Sequence, residues 1–139
     1  MRAKLFALFP AASGFTIHRP CATSIYNRPR NADSYMKQIL VLINPKSGVS
    51  GPYRYIAAIE KVWDTPEHDV FFQFSQSAQD GADKARRAIE RGTDTVLVVG
   101  GDGMVNTIGS VLVNTPVRLG VLPAGSGNGF ARHFKIPLH

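Results

Sequence analysis

Three short stretches of the 139-residue chain combine glycine with hydroxyl, amide and charged side chains. They are Asn44-Pro45-Lys46-Ser47-Gly48, Gly100-Gly101-Asp102-Gly103-Met104 and Pro123-Ala124-Gly125-Ser126-Gly127-Asn128-Gly129. Glycine has no Cβ, so its backbone N–H can approach phosphate oxygens closely. Ser47 and Ser126 can donate hydroxyl hydrogen bonds to phosphate, and Lys46 can add positive charge. Asp102 is an acid inside such a loop and would repel a bare phosphate. It fits there if it meets Mg²⁺, a sugar hydroxyl or an attacking hydroxyl. The competing reading is that Asp102 caps the helix that follows. Taken singly, each loop is explained by tight-turn geometry. Neither G-x-x-x-x-G-K-[ST] nor the dinucleotide G-x-G-x-x-G is present, since Gly125, Gly127 and Gly129 form G-x-G-x-G.

The elements that must hold these loops are legible in the apolar pattern. Ile39–Ile43 is a continuous apolar run, as expected of a strand buried on both faces. Tyr53 to Asp64 places Ile56, Ile59 and Trp63 on one helical face. Val70–Phe74 reads as a second strand. Ala82, Ala85 and Ile89 mark a second helix, with Asp80 as its expected N-cap and Gly92 as its C-cap. Thr95–Val99 is a third strand running into Gly100. Val105, Ile108 and Leu112 mark a third helix. Val117–Leu122 is a fourth strand, and Phe130–Phe134 holds one or two helical turns before Pro137. The alternation predicts the α/β class, in three α/β/α layers around a parallel Rossmann-like sheet. In such a sheet ligands bind at the carboxyl ends of the strands. All three Gly-containing loops follow strand ends, so they share one edge and can surround one ligand.

Composition bounds the function. The chain is 44% hydrophobic and 19% charged, ordinary for a globular domain. The net charge is +6. Arg2, Lys4, Arg19, Arg28 and Arg30 oppose only Asp33 in residues 1–35, so the rest of the chain is nearly balanced, which argues against nucleic-acid binding. The lone cysteine, Cys21, allows no internal disulfide and no cysteine-cluster metal site. Residues 1–35 show no sustained period and are interrupted by Pro10, Pro20 and Pro29. They read as a disordered leader, a targeting segment or a mis-called start before Met36, outside the folded domain of residues 36–139.

These motifs resemble the diacylglycerol kinase catalytic-domain family, which includes sphingosine kinases and bacterial lipid kinases. Asn44 to Gly48 matches N-P-x-S-G, Gly100 to Gly103 matches the G-G-D-G-T loop, and Leu122 to Arg132 matches L-P-x-G-[ST]-x-N-x-x-A-R. NAD kinases and phosphofructokinases share G-G-D-G loops, and the third motif sets this chain apart from them. The resemblance spans residues 38–137 and implies an ATP site used with Mg²⁺. Asn44, Pro45, Lys46, Ser47 and Gly48 would line the nucleotide, as would Ser75 at the end of the second strand. Gly100, Gly101, Asp102, Gly103, Met104, Asn106 and Thr107 would wrap the phosphates, with Gly125, Ser126 and Asn128 closing from the fourth strand. Asp102 would act on the acceptor hydroxyl. Met104 replaces a threonine and Thr107 a glutamate of the family pattern. The family also has a second, β-rich domain carrying the lipid pocket, so this chain is expected to be a truncated form of an ATP-dependent lipid kinase, inactive by itself. The resemblance further implies a lipid substrate met at a membrane surface by a cytoplasmic, peripheral enzyme. A non-catalytic nucleotide-binding module and a kinase of a soluble substrate such as NAD are the alternatives.

Overall fold

A computed structural model describes residues 7–11, 14–18, 36–47 and 53–138. In chain order the elements are β1 (Ala7–Ala11), β2 (Gly14–His18), β3 (Lys37–Ile43), α1 (Tyr53–Trp63), β4 (His68–Phe74) and α2 (Ala78–Glu90). They continue as β5 (Thr95–Gly100), α3 (Asp102–Leu112), β6 (Arg118–Pro123) and α4 (Gly129–His133). The strands form one sheet in the order β1-β2-β4-β3-β5-β6. β3 pairs in parallel with β4 and β5, and β5 with β6. β1 and β2 add an antiparallel margin, with Thr16 opposite Gln73. Sequence reasoning kept residues 1–35 out of the fold, so these two strands are an addition. The remainder of that segment lies outside the described residues.

Strand periodicity divides the core into two layers. Leu40, Leu42, Val96 and Val98 turn toward α2 and α3, where they meet Ala85, Ala88, Val105, Ile108 and Leu112. Ile39, Val41, Ile43, Leu97 and Val99 turn to the other face, where α1 contributes Ile56 and Ile59. Both faces of β3 and β5 are therefore covered, which is why their sequences are apolar at nearly every position. The three-layer α/β/α architecture with a parallel sheet at its centre agrees with the sequence expectation.

The N-cap of α2 is a correction. Ser77, not Asp80, precedes the helix in an extended conformation, and its hydroxyl accepts from the Asp80 N–H. Asp80 stands three residues further on and reaches back to the Gln76 N–H at 2.9 Å. The pair resembles a capping box displaced by one residue, since Asp80 accepts from the residue before the N-cap rather than from Ser77 itself. The helix closes as expected around Gly92, whose φ of 72° lets Thr93 N–H reach Ala88 C=O in a Schellman motif.

The carboxyl ends of the four parallel strands lie flush. Ile43 pairs with Phe74 on one side and Val99 on the other, and Gly100 pairs with Pro123. The first residue beyond each of three strands then donates to its neighbour. Ser75 N–H bonds Ile43 C=O at 2.8 Å, Asn44 N–H bonds Val99 C=O at 3.0 Å, and Ala124 N–H bonds Gly100 C=O at 3.0 Å. The loops thus leave the sheet from one stitched edge.

Candidate functional site

Each loop at this edge is built by its own local chemistry. Asn44 forms an Asx turn, its Oδ1 accepting from Lys46 N–H at 2.9 Å while its carbonyl accepts from Ser47 N–H. Pro45 and Lys46 are exposed at the tip of this turn. Gly48 lies outside the described residues.

The second and third loops touch backbone to backbone. A Cβ placed on Gly125 would stand 2.5 Å from the Gly101 Cα. Real Cβ contacts do not reach that distance, so the close approach requires glycine there. Asn128 then folds the third loop onto itself. Its Oδ1 accepts from Gly125 N–H at 2.9 Å, and its Nδ2 donates to Gly125 C=O at 2.7 Å. Its φ of 53° is left-handed, a conformation that asparagine tolerates better than most residues. Arg132 completes the loop by donating from Nε to Gly127 C=O at 3.0 Å. Ala131 is buried, which seats α4 beside the loop. The third motif therefore encodes a loop shape. The amide of Asn128 is engaged with that loop, whereas the Ser126 side chain is exposed.

Asp102 joins the loops. Its carboxylate does not cap α3, whose N-cap is Gly101 and which has no side-chain cap. Oδ2 accepts from Gly129 N–H and Oδ1 from Phe130 N–H, each at 2.9 Å. The aspartate of the second loop thus caps α4, behind the third loop. The N–H groups of Phe130 and Gly129 hold its carboxyl below the usual range, so it is anionic at neutral pH. Each oxygen retains acceptor capacity beyond its one backbone bond, and the side chain is exposed.

Gly103 differs from the other glycines. A Cβ there would meet no atom within 4 Å, and its φ is not left-handed. Neither packing nor backbone geometry in the protein itself calls for glycine at this position. Met104 turns inward, with Sδ 3.9 Å from the Ser75 hydroxyl. Thr107 donates its hydroxyl to Gly103 C=O at 2.9 Å, one turn back along α3. Asn106 is exposed on the same helix.

A cleft of about 230 Å³ opens between the first loop, the β4–α2 turn and the first turns of α3. Asn44, Lys46, Ser75, Ser77, Met104 and Thr107 are among its walls. Gly81 of α2 packs beside this wall, where a Cβ would lie at ordinary contact distance from Ile108 and Ser75. Ser75 is buried, and its N–H is tied to Ile43. The structure thus brings Asn44, Lys46, Ser75, Met104 and Thr107 to one cavity. It places Gly101, Asp102, Gly125 and Asn128 in the adjoining seam of the other two loops.

Sequence reasoning did not single out Lys84. This residue is only 8% exposed, and Nζ donates to Phe74 C=O at 2.7 Å and to Asp80 Oδ2 at 2.6 Å. The signal was the i,i+4 spacing of Asp80 and Lys84 behind a serine cap. That spacing by itself describes a solvated surface pair as well as a buried one.

Comparison with known proteins follows the same residues. Residues 38–139 match the family described as the diacylglycerol kinase catalytic domain. A diacylglycerol kinase of Mycobacterium tuberculosis (strain ATCC 25618 / H37Rv) is 45% identical over 69 residues, covering 50% of this chain and 22% of the relative. A diacylglycerol kinase of Bacillus subtilis (strain 168) is 30% identical over 104 residues, covering 73% of this chain and 34% of the relative. The chain thus spans about a third or less of the length of these relatives. A crystal structure of a putative diacylglycerol kinase from Bacillus anthracis superposes with a TM-score of 0.63 at 22% identity. That superposition covers 73% of this chain and 38% of the other, and it shows a shared fold.

Proposed function

The chain belongs to the diacylglycerol kinase catalytic-domain family, and from that membership we propose that residues 36–139 form the ATP-binding domain of a lipid kinase. In the whole enzyme the γ-phosphoryl group of ATP would pass to a hydroxyl of diacylglycerol, a sphingoid base or a similar lipid. The observation that carries this reading is the open space over Gly103 at the start of α3. Folding leaves it empty, while the adjoining loops supply backbone N–H groups and the positive end of α3. A triphosphate laid along Gly101, Gly103 and the third loop would occupy it. The nucleoside would lie in the cleft walled by Asn44, Lys46, Ser75 and Met104. The apolar Met104 and the half-buried cleft suit a flat ring better than a charged group.

The chain's own residues then divide the work. Backbone N–H groups of the second and third loops other than those of Met104, Ala124, Gly125 and Gly129, which are bonded within the protein, would bind phosphate oxygens, and Ser47 and Ser126 would add hydroxyl donors. Asp102 is the one carboxylate that the three loops carry. A carboxylate held below the usual range is a weak base. It would orient an acceptor hydroxyl or a phosphate-bound Mg²⁺ rather than store a proton. The donor set fits Mg²⁺, which takes one or two carboxylates with phosphate oxygens and water; when bound, the ion would neutralise charge on the phosphates. Phosphoryl transfer depends mainly on positioning and electrostatics, and the stitched strand ends supply the positioning.

No helix among the described residues is long and apolar enough to cross a membrane. We read a lipid acceptor as one met at a membrane surface on family membership alone. The test is calorimetric titration of the chain with ATP and Mg²⁺, followed by a phosphoryl-transfer assay on vesicles containing diacylglycerol. Saturable binding with transfer to lipid supports the whole reading. Binding without transfer is the outcome expected of the nucleotide-binding domain by itself. A folded chain that binds no ATP refutes the reading.

A further inference from the structure

The wall of the cleft formed by Ser75, Gln76 and Ser77 has no regular structure of its own, since it is the turn between β4 and α2. Four interactions nevertheless fix it. Ser75 N–H is tied to Ile43 C=O at 2.8 Å. Gln76 N–H is tied to Asp80 Oδ2 at 2.9 Å, and Ser77 Oγ accepts from Asp80 N–H at 3.1 Å. The last is the buried ammonium of Lys84, which bonds Phe74 C=O on one side of the turn and Asp80 Oδ2 on the other. One oxygen of Asp80 is thereby shared between the Gln76 N–H and the Lys84 ammonium.

A buried ammonium is costly, and an apolar side chain of the same length would pack at that position more cheaply. The bonds it makes show what it does there. Phe74 C=O is the last carbonyl of β4, immediately before the cleft serine. The Lys84 ammonium holds that carbonyl to α2 and so sets where the strand ends and the wall begins. Burial raises the Asp80 carboxyl, but bonds from Lys84 and the Gln76 N–H, with the charges of Lys84 and Arg87, outweigh it and keep the group below its usual range. The pair is therefore ionic at neutral pH from the Asp80 side.

We propose that Lys84 is a positioning residue of the nucleotide cleft, acting through Phe74 C=O and Asp80 to hold the Ser75–Ser77 wall at the height a nucleoside requires. This rests on the ATP-site reading above. It assigns Lys84 a part in recognising the nucleoside end of the ligand and none in binding its phosphates. The second and third loops lie at the ends of β5 and β6, and Lys84 bonds neither of them.

The experiment is titration of the 139-residue chain with ATP and, separately, with inorganic tripolyphosphate, both with Mg²⁺. It compares wild type, Lys84→Met and Lys84→Gln, with thermal melting run alongside. Lys84→Met keeps the length of the stem and removes the ammonium. Lys84→Gln keeps a donor and serves if the methionine variant does not fold. The expected result is a roughly tenfold loss of ATP affinity with tripolyphosphate affinity unchanged. ATP affinity equal to wild type in either folded variant overturns the proposal. So does an equal fall for both ligands, which would reveal general loosening. A wild-type chain that binds neither ligand overturns the ATP-site reading, and this proposal with it.

Discussion

Substitution of alanine at two glycines separates the demands of folding from those of the ligand. At Gly125 the new methyl would stand 2.5 Å from the Gly101 Cα and 3.1 Å from Asn128 Oδ1. The first obstacle is backbone, so no side-chain rotation relieves it and one loop must move. Overpacking of this kind costs about 1–3 kcal/mol. For a domain of this size each kcal/mol lowers the melting temperature by roughly 4–8 °C. At Gly103 the methyl meets nothing within 4 Å. It also replaces the least favourable helix former other than proline in the first turn of α3, a gain of up to about 1 kcal/mol. Gly103→Ala should therefore melt at or above the wild-type temperature. If the space over Gly103 belongs to a phosphate, the same methyl should weaken ATP binding by about tenfold, near 1.4 kcal/mol. Differential scanning calorimetry and isothermal titration on the two variants read both quantities. A Gly125→Ala protein that melts with wild type refutes the backbone seam between the loops. A Gly103→Ala protein that binds ATP with wild-type affinity refutes a phosphate over the start of α3.

Asp102→Asn should turn an amide N–H toward either Gly129 N–H or Phe130 N–H, because an amide has only one acceptor oxygen. Hydrogen exchange at one of those two amides should quicken, while the core amides of β3 and β5 stay protected; unchanged exchange at both would reject the cap. Asn128→Gly keeps the left-handed backbone but removes both bonds to Gly125, and urea unfolding should show a loss of about 1–2 kcal/mol. Asp80 is depressed in the folded protein, so its stabilising contribution is in place above the ordinary carboxyl value of 3.8 and is lost as pH falls through the lower folded value. Between pH 5 and pH 3, Asp80→Asn should therefore lose less stability than wild type in urea titrations, and parallel curves would contradict the role of the Lys84 bond.

The four parallel strands were legible because their physical circumstances are simple. A strand buried on both faces has little use for polar residues, and Ile39–Ile43 and Val96–Val99 have none. The loops were legible because turn residues and apolar runs alternate without overlap. Less legible were features that depend on a partner distant in sequence. Asp102 has its acceptors filled 27 and 28 residues away, so local spacing pointed to the adjacent helix as its partner. Lys84 sits where a helical pattern ordinarily puts a solvated lysine, and only the approach of the β4 carboxyl end turns it inward. Ser77 and Asp80 are both good caps by residue type, and in the structure the helix starts after Ser77, whose hydroxyl accepts from the Asp80 N–H. The two strands before His18 escaped notice because Pro10 interrupts their apolar run, and an antiparallel margin strand does not need unbroken apolar sequence.

The stitched edge also acts as a ruler. Adjacent strands lie about 4.8 Å apart, so the stretch from the end of β4 across β3 and β5 to the end of β6 is about 14 Å. Ser75, Asn44, Gly101 and Ala124 are stations along it, and Ser75, Asn44 and Ala124 are each fastened to the neighbouring strand. A lone phosphate ion can occupy one station and no more. A ligand that touches the first and the last must be long, with different chemistry at its two ends, because one end meets a cleft walled by Met104 and the buried Ser75 while Gly103 and Ser126 leave the other exposed. At a nucleotide site of the kind proposed, the edge would select for molecular length before any single contact selected for identity.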